Sequence, residues 1–266
     1  MKRSSFLALL AVLAAPLNPD VLGAAPTRPF RAKDVFDGRQ AITFQDDFRS
    51  GQFGRWNFSE DDRYRLLQET PERIQIVDAP GLGADRKAVR FSVPRAPNSF
   101  RAEISLPHEN GFQERWYGGR VLIPHDWVFD PNRGEDIVLQ WHAQTGPTRT
   151  NLKLEGPVQR GTWATWVIHA KWSPGPDGVL RIWKDGTLVA DRKGPNVYST
   201  IGVEYTPYLK TGIYHPAWHT DTAEKRAIFD RENPVATTKV VYVTDIKIGD
   251  ARASYDTVAP AKAEPQ

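Results

Sequence analysis

The chain has no cysteine among its 266 residues, which excludes disulfides and thiolate metal sites. It has no run of one charge sign. Its 35 Lys and Arg are scattered among 32 Asp and Glu, for a formal net charge of +3. An acidic partner is permitted, but nucleic acid, which calls for a basic stripe, is not expected. Beyond its first two dozen residues it has no stretch apolar enough to span a bilayer, so no membrane partner is expected. It has little helical periodicity, no internal repeat and no break in composition. One domain is therefore expected, with a monomer as the simplest state.

What is present starts with nine tryptophans, a content that favours carbohydrate stacking beside ordinary core use. At the N-terminus, Lys2 and Arg3 precede an apolar run from Phe6 to Leu13, and small residues follow, including Val21-Leu22-Gly23 before Ala24. That order is expected of a secretory signal over residues 1–23, with the mature protein periplasmic or secreted. An extended lead-in is expected over 24–40, a single domain over 41–250 and a disordered tail over 251–266, where Ala, Pro and charge dominate.

Within 41–250, short alternating segments recur between turn residues. They include Ile42–Phe44, Ile74–Val77, Ala88–Val93, Trp116–Ile123, Ile137–His142, Asn151–Glu155, Trp166–Trp172, Val179–Trp183, Leu188–Ala190 and Lys239–Ile248. About ten strands so spaced predict an all-β sandwich or jelly roll. Ser173-Pro174-Gly175-Pro176-Asp177-Gly178 marks a hairpin. The one expected helix is Thr222 to Asp230.

Three segments carry polar residues at period two. They are Arg101-Ala102-Glu103, Gln140-Trp141-His142 and Tyr208-Leu209-Lys210-Thr211-Gly212-Ile213-Tyr214. On strands, residues i and i+2 share a face. One sheet could thus aim Arg101 and Glu103, Gln140 and His142, and Tyr208, Lys210 and Tyr214 into one groove. Taken alone, Arg101 and Glu103 read as a solvated or mutually paired couple, and Gln140 and His142 either as a satisfied core pair or as lining a polar groove. Gly212 leaves room for a ligand or another backbone to approach. His108, His125, His169, His215 and His219 have no comparable neighbours and are expected to be structural or surface residues, although His215 and His219 border this segment.

Taken in this order, "RxE", "QxH" and "YxKxGxY" resemble the three motifs of jelly-roll polysaccharide lyases of the alginate lyase type. Glu114-Arg115-Trp116-Tyr117-Gly118-Gly119-Arg120-Val121, with Pro124 and Trp127, is similar to stretches of heparinase and glucuronan lyase relatives, as is Trp166 to Gly186. The resemblance runs from about Asp46 to Gly249. Departures are Thr211 and Ile213 in the third motif, Ser105 in place of a second arginine, and Trp141 in place of an aliphatic residue.

Such a lyase must remove the weakly acidic proton on C5 of a uronate. Fixed donors aimed at the carboxylate stabilise the charge that develops. By resemblance, Arg101 supplies a guanidinium fork and Gln140 an amide donor, with His142 beside them. Tyr214 matches the family's catalytic tyrosine. A tyrosine hydroxyl is a weak acid, so a base role needs a nearby cation such as Arg101 or Lys210. Where the C5 proton and C4 oxygen lie on one side, as in β-linked glucuronate or mannuronate, Tyr214 can act as base and then acid. In guluronate or iduronate they are anti, and His142 would be the base. Glu103 is expected to orient Arg101, and Tyr208, Lys210, Asn151 and Lys153 to bind substrate. No cofactor is required, although related jelly rolls hold a structural calcium, for which Asp46 and Asp245 are the candidates. The implied substrate is an anionic polysaccharide: polyglucuronate first, then alginate, then heparin-like polymers. A sandwich glycoside hydrolase would need paired carboxylates at E-x-D-x-x-E spacing, which Glu60-Asp61-Asp62 and Glu135-Asp136 do not provide. A non-catalytic carbohydrate-binding protein is the rival from another class, followed by a purely structural periplasmic protein.

Overall fold

The structure is a computed structural model and describes residues 30–57, 71–109, 111–128, 136–142, 159–197, 207–231 and 237–261. The leader expected at 1–23 and the strand expected at Asn151–Glu155 lie outside them. Eleven strands are seen among the described residues: β1 (Ile42–Asp46), β2 (Ile74–Asp78), β3 (Lys87–Pro94), β4 (Arg101–Ser105), β5 (Glu114–Leu122), β6 (Ile137–His142), β7 (Trp163–Lys171), β8 (Val179–Lys184), β9 (Thr187–Lys193), β10 (Tyr208–Tyr214) and β11 (Thr238–Gly249). Eight of them form one sheet in the order β2-β3-β11-β5-β7-β8-β9, with β1 also paired to β11, and three form a second sheet, β4-β10-β6. Every pairing is antiparallel. This is the jelly-roll sandwich that the strand spacing predicts.

The alternation of side chains places the core between the sheets. The small sheet contributes Ala102, Ile104, Leu209 and Ile213 to one buried cluster. The large sheet adds Phe91, Val93, Tyr117, Val121, Ile168, Val241 and Val243. Trp141 packs edge-on to Tyr117 at 5.1 Å and lies 6.0 Å from Trp172. The departure from an aliphatic residue at this position thus fills core space between the sheets. Ser105, the other departure, is buried and exchanges backbone hydrogen bonds with Asn57 (2.7 and 2.8 Å).

Two segments differ from expectation. The lead-in is not wholly extended, because helix α1 (Ala32–Val35) buries Val35 in the core. The expected tail is docked as far as residue 261: helix α3 (Tyr255–Val258) buries Val258 against Val167 and Ala253. A Cβ on Gly118 would overlap the Val258 carbonyl, so this glycine of β5 leaves room for the segment. Composition suggested disorder, but a few apolar residues at the right spacing suffice to dock a short turn. The expected helix is present as α2 (Ala223–Arg231).

The calcium expectation does not fit. Asp245 is gripped by Arg86 (2.5 and 2.6 Å) and Arg120 (2.7 Å). Asp46 accepts the Phe48 amide (2.8 Å) and the Trp56 indole N–H (2.9 Å), and burial pushes its carboxyl above the usual range. A divalent ion would have to displace two guanidinium groups from Asp245. Among the described residues no group of three or more His, Asp or Glu is placed to hold a metal.

Candidate active site

The three motifs fall on the three strands of the small sheet, with β10 in the middle. Across β4, Tyr214 stands opposite Arg101, Gly212 opposite Glu103 and Lys210 opposite Ser105. Across β6, Lys210 stands opposite Gln140 and Tyr208 opposite His142. Since Leu209 and Ile213 enter the core, Tyr208, Lys210 and Tyr214 take the other face, together with Arg101, Glu103 and Gln140. These six residues therefore share one face of the small sheet.

Gly212 decides how close β4 can come. Its φ is +140°, and a Cβ there would collide with the Ala102 carbonyl and lie 2.7 Å from the Glu103 Cα. The space left by this glycine is taken by the neighbouring backbone. The β10–β6 register also shifts between Thr211 and Tyr214, a local irregularity that re-aims the end of the strand.

The two ends of β10 are chemically distinct. Near its middle, the Glu103 carboxylate accepts a hydrogen bond from Gln140 Nε2 (2.5 Å) and lies 3.2 Å from Lys210 Nζ. Glu103 is 1% exposed and Lys210 2%. Glu103 thus grips Gln140 and Lys210. Gln140 Nε2 carries two hydrogens, and only one is given to Glu103. Tyr208, at the far end, is buried, with its ring 4.1 Å from that of His108.

At the other end the side chains gather on Phe100, just before β4. The Arg101 guanidinium carbon lies 4.6 Å from the Phe100 ring centroid and 5.2 Å from that of Tyr214. Tyr214 meets Phe100 edge to face at 5.8 Å, and His219 stacks on Phe100 at 4.1 Å. Burial holds the His219 imidazole below its ordinary pKa; the charges of Lys225 and Arg101 act the same way, against Asp221.

Behind this end, on the core side, His215 is fully buried. Its Nδ1 lies 2.8 Å from Asp136, whose other oxygen lies 3.0 Å from Lys239 Nζ. This network ties the ends of β10 and β6 to β11. Phe100, Asp136, Lys239 and the two histidines were not identified as site residues from the sequence. The proximity of His215 and His219 to the third motif was the only available signal. Asn151, Lys153 and the His142 side chain lie outside what is described. The His142 backbone, however, stands opposite Tyr208, six residues from Tyr214, or about 20 Å along the strand.

Known proteins resemble this chain in sequence pattern and in fold. The model of a family described as polysaccharide lyase matches residues 48–152 and 144–243. An endo-β-1,4-glucuronan lyase from the fungus Trichoderma reesei superposes with a TM-score of 0.55 at 16% identity, over 82% of this chain and 98% of that one. Alginate lyase Aly36B gives 0.45 at 12%, over 69% and 85%, and the cellulose-induced protein Cip1 gives 0.47 at 11%, over 79% and 99%. No curated protein sequence matches the chain. The first superposition supports the sandwich fold. With the family match spanning most of the chain and its three motif strands, the chain belongs to the polysaccharide lyase family.

Proposed function

We propose that the protein cleaves a β-linked, uronate-containing polysaccharide by elimination across C4 and C5, with polyglucuronate as the first substrate. Tyr214 takes the C5 proton, the electrons of that bond form the C4–C5 double bond, and the C4–oxygen bond breaks. The departing oxygen then receives the proton from Tyr214. Arg101 meets the carboxylate charge of the same sugar, and the remaining Gln140 N–H adds a donor farther along the groove.

The observation that carries this reading is the direct opposition of Arg101 and Tyr214 across β4 and β10, with the guanidinium 5.2 Å from the phenol ring. A guanidinium fork beside the ring of a single tyrosine supports one residue serving as base and then acid. The placement of His142 opposite Tyr208 favours Tyr214 acting alone over a His142–Tyr214 pair. That favours substrates with C5 hydrogen and C4 oxygen on the same side, glucuronate and mannuronate, over guluronate and iduronate. The leader-like residues 1–23 are consistent with work in the periplasm or outside the cell.

The test is near-ultraviolet absorbance during mixing with polyglucuronate, polymannuronate, polyguluronate, hyaluronate and heparin. A rise with polyglucuronate, abolished in Tyr214→Phe, is the expected result. A rise only with polyguluronate or heparin would overturn the single-tyrosine arrangement. No rise with any polymer, despite measurable binding, would favour a carbohydrate-binding protein.

A further inference from the structure

His219 lies five residues beyond Tyr214, outside the three motifs, yet the fold returns it to the same ring. A 3-10 turn, Pro216–Trp218, reverses the chain, and Trp218 is buried edge-on to His215 at 4.5 Å. The next residue, Thr220, is clasped to Asn98: Thr220 N donates to Asn98 Oδ1 (2.9 Å), Asn98 N donates to Thr220 Oγ1 (3.0 Å), and the two side chains hydrogen-bond (3.1 Å). Phe100 and His219 both sit just inside this clasp. Their stacking at 4.1 Å and 29° is therefore held by the chain on both sides.

Stacking occupies one face of the imidazole and leaves its edge, with the two nitrogens, outside the contact. The side chain is 32% exposed. Its Nε2 lies 3.7 Å from an Asp221 oxygen, beyond hydrogen-bond length. The charged groups acting on it are Asp221, Lys225 and Arg101. Burial and the two cations keep the ring neutral near pH 7, and a neutral imidazole offers one donor and one acceptor. That pair suits a sugar hydroxyl, while the charge of a uronate carboxylate is met by Arg101.

We propose that His219 is a substrate-contacting residue of the groove: its imidazole edge hydrogen-bonds a hydroxyl of the sugar next to the one held by Arg101, with Phe100 as its platform. This rests on the elimination reading above and extends it to a binding position outside the three motifs.

The experiment is steady-state kinetics on polyglucuronate at pH 7.5 with wild type, His219→Ala, His219→Phe and His219→Gln. His219→Phe keeps a ring to stack on Phe100 but has no nitrogens. Losing a hydrogen bond to a hydroxyl should raise KM about 3- to 10-fold in the Ala and Phe variants, with kcat within about 2-fold. His219→Gln, a neutral donor and acceptor, should bring KM back to within about 2-fold of wild type, again on the scale of one such bond. If His219→Ala does not fold, the Phe and Gln variants decide. A wild-type KM in His219→Phe, or a Gln variant no better than Phe, would overturn the proposal, because packing alone would then explain the residue. Absence of turnover by wild type on every polymer is a different result, since it would overturn the elimination reading itself.

Discussion

The Tyr214 end of β10 and its Lys210 segment lie on one strand and one face, yet they solve opposite problems. Around Tyr214 the neighbours are a ring and a guanidinium, Phe100 at 5.8 Å and Arg101 at 5.2 Å, and His219 stacks on Phe100 at 4.1 Å. Around Lys210 the neighbours are a carboxylate and an amide, in a pair almost without solvent exposure. A phenol that exchanges a proton with a polymer has to stay accessible and needs positive charge beside it. A buried ammonium has to be matched by a buried carboxylate, because an unpaired buried charge costs several kcal/mol. The same polar alternation therefore builds an end suited to the proposed proton transfer and a middle held by a buried ion pair. Motif spacing alone does not distinguish them.

The strongest way to break this comparison is to remove the hydroxyl of Tyr214. Tyr214→Phe keeps the edge contact with Phe100, so thermal unfolding should change little. Turnover should fall about 10²- to 10⁴-fold, the usual scale of general acid–base catalysis. Retained turnover would move the chemistry elsewhere on the sheet.

The middle should show the reverse. Lys210→Met leaves Glu103 buried without its cation and should cost about 3–5 kcal/mol in denaturant unfolding. Adding Glu103→Gln to that variant removes the stranded charge and should recover much of the loss. If the single variant is as stable as wild type, Glu103 and Lys210 are not the structural pair described here.

A smaller effect should come from the position that joins the two regions. At Gly212, an alanine forces a Cβ into the β4 backbone at a φ of +140°. Gly212→Ala should cost about 1–3 kcal/mol and lower kcat as Arg101 shifts relative to Tyr214. Unchanged stability and rate would mean that β4 yields without disturbing the pair.

The smallest effect concerns pH. The folded-state pKa of His219 is lowered, so its contribution to stability is fully present above the unfolded value near 6.5. It is lost as pH falls through the lower folded value. Relative to His219→Gln, wild type should thus lose on the order of 1 °C in Tm between pH 7.5 and pH 5. A parallel pH dependence in both proteins would show that the imidazole is not held neutral by the fold.

The sequence by itself determined the sandwich, because alternation and turn residues specify strands locally, and each strand buries one face whatever its partner. It determined the family too, since the three motifs keep their order along the chain. It also determined which face of β10 is polar, because side-chain direction in a strand follows parity alone. Pairing register is not local, and only the tertiary structure decided it. Register sets Arg101 against Tyr214, sends Glu103 to Gln140 and Lys210, and stations His142 opposite Tyr208. Contacts across long separations were likewise invisible: Asp136 with His215 and Lys239, Asp245 between Arg86 and Arg120, and the docked turn at Val258. A charged residue in a sequence carries no sign of its partner. What it does depends on which charge, ring or backbone the fold brings within a few ångströms, and at His219 the fold brings Phe100 and Asp221.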